Sequence, residues 1–537
     1  MAEDSSGDKV HRADGGGSVD PYDRVAFASK PSRDKHPDRI AVIAALRGFA
    51  ACPVDSARVL ELGCGSGATL LPLAMEFPDS EFVGIDVAAR QLEVGAKHIA
   101  AVGVKNIALQ KADLKSYEIE TAGFDYIICH GVFSWVEPTL QERLLELVAS
   151  GLRPQGIAML SYNCSPGWDM RSRARELLAL GDNPLAAPEE RIGAARNALS
   201  FFTTRLVDAV SPYALQLKGE LDQLTRQSDG FVYHELLQEV DRAVTLSEFL
   251  GRAGYHGLHY LGDARPGRNR AHLFCDPTQG ETASCFEVQG QELREQYMDY
   301  LFPLSFRTSL LTKASVPEKI LIEFEQLAEW HASSPLVPTD DTDDPRREST
   351  QAYCGPAEEI VEVSKPLIKC ALAVLHEVWP GAKSISELLK QARSKLGDCA
   401  PDVNSSQQQL TRALLEQFHR GQVELYQSPP KVRCEVSEQP ATSPYARQQA
   451  VEQDWATNQR YEYLPLDAVE RMLVTLLDGT RDREQLIRAL DLQLYERGMR
   501  IAHEGCELTE SSERATLLGE QVDQTLAKLA EAGFLIR

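Results

Sequence analysis

The chain has 537 residues, more than one compact core usually holds, so we expect two to four domains. Its formal net charge of −23 repels polyanions, which argues against DNA or RNA as a substrate. The eleven cysteines include no C-x-x-C pair, and no apolar window is long enough to span a bilayer. These features exclude a disulfide framework, a zinc ribbon and a membrane span, and predict a soluble protein of a reducing, cytoplasmic compartment.

The first part of the chain alternates short β-rich runs with helical segments. Residues 1–20 are rich in Gly, Ser and Asp and are typical of a disordered tail, while residues 36–49 have apolar positions at helical spacing. Strands are predicted at 58–62, 81–85, 107–111, 124–130 and 156–162, and helices at 69–76, 88–102 and 139–152. This repetition predicts an α/β fold with a doubly wound, Rossmann-like sheet over residues 21–169.

The next part, residues 170–277, is predicted to be a helical insertion that returns to the sheet. It reads as helical to residue 250, with breaks at 183–184, 211–212 and 228–230. Two β-rich runs, 257–261 and 271–275, are expected to form an antiparallel edge pair, so that the sheet closes near residue 277. Residues 278–354 are predicted to be a helical connector with an acidic linker at 335–350.

The C-terminal third contains a weak internal repeat. The second helix of each copy places Leu388 or Leu486 seven residues after a glycine, and a later helix ends at Gly421 or Gly533 before a strand. This pattern predicts winged-helix-like modules at 355–440 and 441–537. Winged helices often read DNA, but the last helix is mainly acidic, which favours protein contacts. Its charged residues are Glu510, Glu513, Glu520, Asp523 and Glu531 against Arg514 and Lys528.

A glycine-rich loop between the first strand and helix indicates a nucleotide-like ligand. Gly63, Gly65 and Gly67 allow a tight turn and a close approach of the backbone. The pattern Gly63-x-Gly65-x-x-Ala68 also satisfies the dinucleotide fingerprint, and Asp86 follows 23 residues later, where a ribose-binding acid belongs. The glycines alone therefore leave a dinucleotide and a methyl donor as alternatives.

Acidic residues favour the methyl donor S-adenosylmethionine over the dinucleotide. The Glu61 carboxylate can offset the ammonium of the donor, whereas it would repel a pyrophosphate. Asp113, after the third strand, can accept from an adenine amine. Simpler interpretations stay open: Glu61 as a strand end, Asp86 as a helix N-cap, Asp113 as a turn residue and Cys64 as a small filler.

Longer motifs resemble one family along nearly the whole chain. They include VLELGCGSGATLLPLA (59–74), FVGIDVAARQLEVG (82–95), FDYIICHGVFSWV (124–136), SYNCSPGWDMR (161–171) and PLDAVERMLVTLLDGTRDREQLI (465–487). These residues resemble bacterial class I methyltransferases with a methyltransferase regulatory domain, a group that includes protein-lysine methyltransferases acting on outer-membrane proteins. The resemblance implies that S-adenosylmethionine is the cofactor and that protein lysine is the acceptor.

The resemblance also assigns roles to individual residues. Asp86 would bind the ribose, and Asp113 and Leu114 the adenine. His130 and Gly131 would border the sulfonium. The methionine end would be lined by Glu61, Gly63, Cys64, Gly65 and Gly67. The segment 161–168 would face the acceptor, with Tyr162, Asn163 and Trp168 as catalytic candidates. Transfer would be an in-line displacement, with the Tyr162 phenol or the Asn163 amide orienting a lysine. Tyr162 and Trp168 could equally be packing residues.

Two departures keep other functions open. The start, YDRVAFASKPS (22–32), retains Tyr22 and Val25 but lacks several aromatic residues of the family, so the acceptor could differ. His234 and Glu235 lack the second histidine of a zinc protease, which predicts a hydrogen-bonding role and no metal. The alternatives are a methyltransferase for a small molecule or glycan, and a non-catalytic, S-adenosylmethionine-binding adaptor. The oligomeric state is open, with a dimer possible.

Overall fold

The computed structural model describes residues 24–25, 29–265, 290–316, 322–340, 344–355, 358–499, 502–503, 506–507 and 511–536. Strands and helices alternate up to Asn163, as the sequence predicts. The strands are β1 (Arg58–Leu62), β2 (Glu81–Asp86), β3 (Ile107–Lys111), β4 (Phe124–Cys129) and β5 (Leu152–Asn163). The helices are α1 (Pro37–Ala45), α2 (Leu70–Glu76), α3 (Ala89–Val102) and α4 (Pro138–Gly151).

Seven of the described strands form one sheet, in the order β3-β2-β1-β4-β5-β7-β6. Here β6 spans His259–Asp263 and β7 spans Phe306–Thr312. Strands β1 to β5 pair in parallel, and β7 runs antiparallel to both β5 and β6. The predicted doubly wound, Rossmann-like fold is confirmed. The strand order reverses between β1 and β4, and open α/β sheets bind ligands beyond the carboxyl ends of the strands at such a point.

The antiparallel edge of the sheet differs from the prediction. The run at 257–261 corresponds to β6, but the run at 271–275 lies outside the described residues. The strand that pairs with β6 is β7, in the region predicted to be a helical connector, so the predicted closure of the sheet near residue 277 is wrong. Six of the seven β7 residues are buried, including Arg307. A strand buried on both faces lacks the alternation of apolar and polar residues that identifies a half-buried strand. The polar residues of β7 also made it hard to recognise as a buried strand.

The helical insertion follows β5. It contains α5 (Asp169–Ala179), α6 (Pro188–Arg205), α7 (Pro212–Leu224), α8 (Asp229–Phe231), a π-helix (Val232–Leu236), α9 (Leu246–Tyr255) and α10 (Gln291–Leu301). Two of the three predicted breaks are helix starts: the Ser211 hydroxyl accepts from Ala214 N–H and the Ser228 hydroxyl from Phe231 N–H. Helices α5 to α7 and the π-helix share a small apolar core of their own.

The C-terminal third folds into two modules of helices with short strands. The first contains α11 (Phe324–Leu327), β8 (His331–Ser333), β9 (Val337–Pro338), β10 (Gln351–Cys354), β11 (Ile360–Val363), α12 (Pro366–Val378), β12 (Lys383–Ser384), α13 (Ile385–Leu396), α14 (Val403–His419) and β13 (Glu424–Tyr426). The second contains α15 (Pro444–Glu452), β14 (Trp455–Thr457), β15 (Tyr463–Pro465), α16 (Ala468–Leu476), α17 (Arg483–Glu496), β16 (Ala502–His503), β17 (Cys506–Glu507) and α18 (Ser511–Glu531).

The two modules repeat one arrangement, as the internal sequence repeat predicts. In the first, β8 lies between β12 and β13 and is antiparallel to both. In the second, residues 441–442 bridge Asp478 on one side and Leu535 on the other, again antiparallel. Gly421 and Gly533 follow the last helix of each module with positive φ angles of 75° and 73°. Because β8 belongs to the first module, that module begins before residue 355, inside the predicted connector.

Both modules pack against the sheet domain. The Asp38 carboxylate on α1 accepts from Gln427 N–H at 3.2 Å and Ser428 N–H at 2.8 Å. The Tyr461 hydroxyl donates to Glu76 Oε2 at 2.7 Å. A single apolar cluster runs from one face of the sheet through α1 into the first module. Among the helices of the described ranges, none is long and apolar enough to cross a membrane.

Candidate active site

The glycine loop turns sharply where β1 ends. Gly63, Gly65 and Gly67 have positive φ angles of 77°, 55° and 71°, which side chains rarely tolerate. A Cβ at Gly63 would lie 2.5 Å from Val132 Cγ2, so space is also lacking there. These glycines bring the loop against its neighbours and leave its backbone at the carboxyl ends of the central strands. This is the position in which the sequence predicts the ligand.

Asp86 ties the glycine loop to the next helix. It ends β2, and its Oδ2 accepts from Gly65 N–H at 2.7 Å while its Oδ1 accepts from Ala88 N–H at 2.9 Å. Asp86 is not the N-cap of α3, because that helix begins at Ala89 with Ala88 as its N-cap and without a side-chain cap bond. Asp86 stands at the strand end where a ribose-binding acid is expected, and its ribose-binding role stays a prediction.

Glu61 is a buried carboxylate with one bound and one unbound oxygen. Its Oε1 accepts from Lys35 Nζ at 3.1 Å, and its Oε2 has no partner among the described residues. Burial raises the pKa of Glu61, and the Lys35 charge opposes that rise. Glu61 is thus not an exposed strand end but a buried group beside the glycine loop.

The other predicted cofactor residues are Cys64 in the glycine loop and Asp113 and Leu114 after β3. Cys64 is buried, and burial raises the pKa of its thiol, which agrees with its interpretation as a small filler. Asp113 is exposed beyond β3, and its Oδ1 accepts from Lys115 N–H at 2.9 Å as in an Asx turn. Leu114 packs partly buried on the apolar cluster of the other sheet face. The adenine-binding role of Asp113 and Leu114 stays a prediction.

His130 follows β4 and has an unbound ring nitrogen. Its Nε2 is buried without a partner in the described part of the chain. Burial, with the charges of Lys35 and Arg265, lowers the pKa of His130 to about 3, so the imidazole is neutral at pH 7. The adjacent Gly131 N–H donates to Ser161 Oγ at 2.8 Å, which joins the end of β4 to the end of β5.

Two buried polar atoms at the strand ends therefore lack partners among the described residues, and the charge of Lys35 acts on both side chains. Buried polar atoms are nearly always hydrogen-bonded, so Glu61 Oε2 and His130 Nε2 indicate a site that a ligand completes. A buried carboxylate oxygen suits an ammonium group and disfavours a pyrophosphate. The residues present fit S-adenosylmethionine better than a dinucleotide.

Tyr162 lies in the hydrophobic core. Its ring stacks on Phe249 with centroids 4.1 Å apart, and its hydroxyl is 3.0 Å from Ser309 Oγ. Burial raises the pKa of Tyr162 well above the ordinary range of a phenol. This packing agrees with the alternative interpretation of Tyr162 as a packing residue, and its role in orienting an acceptor stays a prediction that the packing does not favour.

Asn163 and Trp168 meet at a carboxylate that the sequence did not single out. Asn163 Nδ2 donates to Asp241 Oδ1 at 3.2 Å, and Trp168 Nε1 donates to the same atom at 2.9 Å. Ser172 and Arg175 also contact Asp241 Oδ2, at 3.2 and 3.0 Å. Asp241 therefore fixes both predicted catalytic side chains, and their catalytic role stays a prediction.

A cleft of about 1260 Å³ opens beside these residues. Its lining includes Trp135 and Ser165, and most of the rest, including Asp169 and Asp241, comes from the helical insertion. The Arg175 guanidinium lies over the Trp135 ring, 5.2 Å from its centroid. This cleft adjoins the segment 161–168 that the sequence predicts to face the acceptor.

His234 has the hydrogen-bonding role predicted for it. It is buried, and its Nε2 is 2.6 Å from the carbonyl oxygen of Val25, near the start of the described chain. Within the described ranges, no group of three or more His, Cys, Asp or Glu is arranged to hold a metal ion. Tyr22, which was noted as a retained aromatic residue, lies outside the described residues.

The sequence could not have identified Lys35 or Asp241. Lys35 belongs to a 3₁₀ turn (Arg33–Lys35) that precedes α1, 26 residues before its partner Glu61. Asp241 lies 73 residues beyond Trp168. Neither stands at a motif spacing, and both reach their partners through tertiary structure alone.

Three family profiles match successive parts of the chain. They are "Methyltransferase domain" over residues 59–156, "Predicted methyltransferase regulatory domain" over 228–313 and "PKMT, C-terminal winged helix domain" over 438–534. The chain is also 32% identical over 232 residues to "Uncharacterized protein RP028" of Rickettsia prowazekii, covering 93% of that protein and 43% of this chain. The chain belongs to the bacterial class I S-adenosylmethionine-dependent methyltransferases with a methyltransferase regulatory domain.

Other relatives of this methyltransferase match it over nearly its full length. It is 26% identical over 501 residues to "Uncharacterized protein RP789" of Rickettsia prowazekii, which covers 92% of this chain and 89% of that protein. The solved structure of PKMT2 from Rickettsia typhi aligns with a TM-score of 0.83 and 25% identity, over 95% of this chain and 100% of that chain. PKMT2 has also been solved in complex with AdoHcy, with the same similarity.

Proposed function

We propose that this methyltransferase transfers methyl groups from S-adenosylmethionine to lysine side chains of a protein. The observation that carries the proposal is the alignment with PKMT2, which spans the sheet domain, the insertion and both C-terminal modules. A likeness confined to the cofactor-binding sheet would say nothing of the acceptor. The shared insertion and modules are the parts that a large acceptor would contact.

The cofactor site is assigned to the glycine loop and the strand ends around it. S-adenosylmethionine supplies a methyl group made electrophilic by its positively charged sulfur. Glu61 would hold the ammonium of the methionine end through Oε2, and Asp86 would accept from the ribose hydroxyls. Asp113 and Leu114 would bind the adenine. The orphan Oε2 of Glu61 and the buried, close-packed loop support this assignment.

His130 and Gly131 would border the reacting centre. With a pKa of about 3, His130 is neutral at pH 7, so its imidazole does not repel a sulfonium. It is also too weak a base to deprotonate a lysine ammonium. A lysine that enters a closed pocket loses solvation, which lowers its pKa. Transfer would then depend mainly on holding the amine in line with the methyl group, which requires no strong base.

On the acceptor side, Asn163 and Trp168 are the proposed orienting residues. Asp241 lines the cleft and accepts hydrogen bonds from both side chains, which are themselves buried behind it. Tyr162 would support β5 from the core through its contacts with Phe249 and Ser309. We expect the lysine to approach along the cleft rather than from the face of the sheet that buries Tyr162.

The C-terminal modules are proposed to contact protein rather than nucleic acid. The basic residues noted in the last helix, Arg514 and Lys528, are paired with Asp491 and Glu470. Paired cations contribute little to phosphate binding, which relies on the release of counterions by unpaired lysines and arginines. This pairing supports the interpretation that the acidic composition first suggested.

A labelling experiment tests the proposed acceptor. The full chain would be incubated with tritiated S-adenosylmethionine and a bacterial lysate, with a Glu61→Gln variant as the cofactor-site control. We expect label in discrete protein bands and methyl-lysine by mass spectrometry, with less label from the variant. Label in a low-mass or glycan fraction would support the small-molecule alternative. Cofactor binding without any labelled product would support the adaptor.

A further inference from the structure

Lys35 and Glu61 form a buried pair that has unused hydrogen-bonding capacity on both sides. Lys35 Nζ lies 3.1 Å from Glu61 Oε1, and their side chains are 10% and 3% exposed. A lysine ammonium has three N–H donors, and this contact uses one. Glu61 Oε2 has no partner in the described part of the chain. The pair therefore presents donors and an acceptor side by side, next to the glycine loop.

This arrangement is complementary to an α-amino acid. An amino acid zwitterion presents an ammonium, which needs an acceptor, and a carboxylate, which needs donors. The free Oε2 of Glu61 matches the first, and the remaining N–H groups of Lys35 match the second. A carboxylate alone would attract the ammonium but repel the carboxylate of the same ligand. A second, positive group is therefore needed for tight binding of both ends.

We propose that Lys35 is the residue that binds the carboxylate at the methionine end of the cofactor, beside the Glu61 oxygen that binds the ammonium. The proposal rests on the assignment of this site to S-adenosylmethionine. It makes the segment before α1 part of the cofactor site, although Glu61, just before the glycine motif, is 26 residues later in the chain. It does not depend on which acceptor receives the methyl group.

The segment that carries Lys35 is held in place from several directions. Asp34 forms ion pairs with Arg39 and Arg265. Arg33 pairs with Glu424 of the first module at 2.5 Å. His36 packs against Tyr461 of the second module, with ring centroids 4.5 Å apart. A lysine held in this way loses less side-chain entropy on binding than a free surface lysine, which favours a ligand-binding role.

The same segment also reaches the glycine loop directly. A Cβ placed on Gly65 would lie 3.0 Å from Ser29 Oγ, so the chain near Ser29 passes over the loop. Residues 29–36 therefore contact the cofactor loop at one end and both C-terminal modules at the other. Lys35 lies between these contacts, where its position depends on the assembled domains.

Three ligands that differ in their charged ends test the role of Lys35. S-adenosylhomocysteine has the ammonium and the carboxylate, its decarboxylated analogue keeps the ammonium, and 5′-methylthioadenosine lacks both. Their affinities would be measured by calorimetry on the full chain and on the variants Lys35→Met, Lys35→Arg and Glu61→Gln. Each affinity reports binding without any methyl transfer, so a failure to find a lysine acceptor leaves the result unaffected.

The expected result is a pattern rather than a single loss. Lys35→Met should lower the affinity for S-adenosylhomocysteine roughly ten- to a hundredfold, as expected for a lost hydrogen bond between charged groups. It should change the affinities for the other two ligands little. Lys35→Arg should retain most of the affinity. Glu61→Gln should lower the affinities for both ligands that carry the ammonium. Unchanged binding of 5′-methylthioadenosine shows that each variant is folded at the site.

Other patterns would overturn the proposal. Equal losses of all three ligands in Lys35→Met would mean that Lys35 supports the loop without contacting the ligand. Unchanged or tighter binding of S-adenosylhomocysteine would mean that Lys35 only neutralises Glu61. Wild-type protein that binds 5′-methylthioadenosine as tightly as S-adenosylhomocysteine would overturn the role of both charged residues, while the methyl-donor assignment would stand.

Discussion

The cofactor side and the acceptor side of the strand ends differ in how far their polar groups are satisfied. On the cofactor side, Glu61 Oε2 and His130 Nε2 are buried without a partner among the described residues. On the acceptor side, the side chains of Tyr162, Asn163 and Trp168 all bond to protein groups. The first region has buried acceptor atoms that a ligand could bind, whereas these three side chains of the second region already have protein partners.

This contrast has a physical cause and an experimental consequence. A small ligand must be bound by polar atoms that the protein leaves free, and those atoms lower its stability when the ligand is absent. Side chains that the protein already satisfies contribute to folding instead. Substitutions on the cofactor side should therefore cost mainly ligand affinity. Those on the acceptor side should cost mainly stability.

The largest expected effect lies behind the acceptor side, at Arg307. Its guanidinium binds Asp299 at 2.8 and 2.9 Å and Glu295 at 2.9 Å, with Asp263 at 3.5 Å, and all four side chains are buried. Arg307→Met leaves three buried carboxylates without their cation. We expect a loss of about 3–5 kcal/mol in the free energy of unfolding, measured by urea denaturation.

Arg346 offers a matched control for Arg307. It pairs with Asp344 at 2.9 Å, but its side chain is 61% exposed. Arg346→Met should change the urea midpoint little, because exposed ion pairs contribute little to stability. Similar urea midpoints for both variants would contradict the view that the buried, paired charges behind the acceptor side stabilise the fold.

The second prediction concerns Asp241, which joins the catalytic candidates. An asparagine at this position has one acceptor oxygen in place of two and would turn a donor toward other donors. Asp241→Asn should lower the free energy of unfolding by about 1–3 kcal/mol. It should leave the affinity for S-adenosylhomocysteine within about twofold, because Asp241 lies on the acceptor side.

Asp169 is the control for this substitution. It is an exposed residue of the same cleft and accepts from the Ser165 hydroxyl at 2.7 Å. Asp169→Asn should leave both the stability and the cofactor affinity nearly unchanged. If Asp241→Asn loses cofactor affinity while keeping its stability, the division into two regions fails.

The sequence predicted the glycine turn and the place of Asp86 at a strand end because these features depend on local geometry. The glycines need their backbone angles, and Asp86 needs only to end the strand beside them, so both are recognisable at fixed spacing. The repeat in the last third was also visible, since Leu388 and Leu486 are equivalent core positions of their modules. These features depend on neighbours that are close in the chain.

The rest could not be predicted because it depends on contacts between distant segments. Lys35 pairs with Glu61 through the docking of the first turn, and Asp241 reaches Trp168 across the insertion. The strand β7 carries Arg307, a residue that ordinarily argues against a buried strand. Its carboxylate partners lie on β6 and α10, and no sequence pattern shows that they converge.

Two glycines test whether the loop after β1 contacts the cofactor. Gly63 and Gly103 both have positive φ angles, 77° and 81°, but a Cβ meets Val132 at 2.5 Å in the first and nothing within 4 Å in the second. Both alanine variants should lose about 1–2 kcal/mol of stability from backbone strain. Gly63→Ala should also lose most of its affinity for S-adenosylhomocysteine by calorimetry, and Gly103→Ala should retain it. Equal affinities would remove the loop from the ligand site.

The smallest expected effect is the pH dependence that His130 contributes. Its pKa is about 3 in the folded chain and 6.5 as a free side chain, so the unfolded chain binds more protons between these values. Stability from this group is therefore complete above pH 6.5 and is lost as the pH falls toward 3. Between roughly pH 7.5 and pH 5.5, the free energy of unfolding of His130→Gln should fall by about 1 kcal/mol less than that of the wild type, as measured by urea denaturation. The control variant His419→Gln, at an exposed position, should show the same change of unfolding free energy with pH as the wild type. If His130→Gln also shows the wild-type change, the His130 ring is not buried as a neutral base.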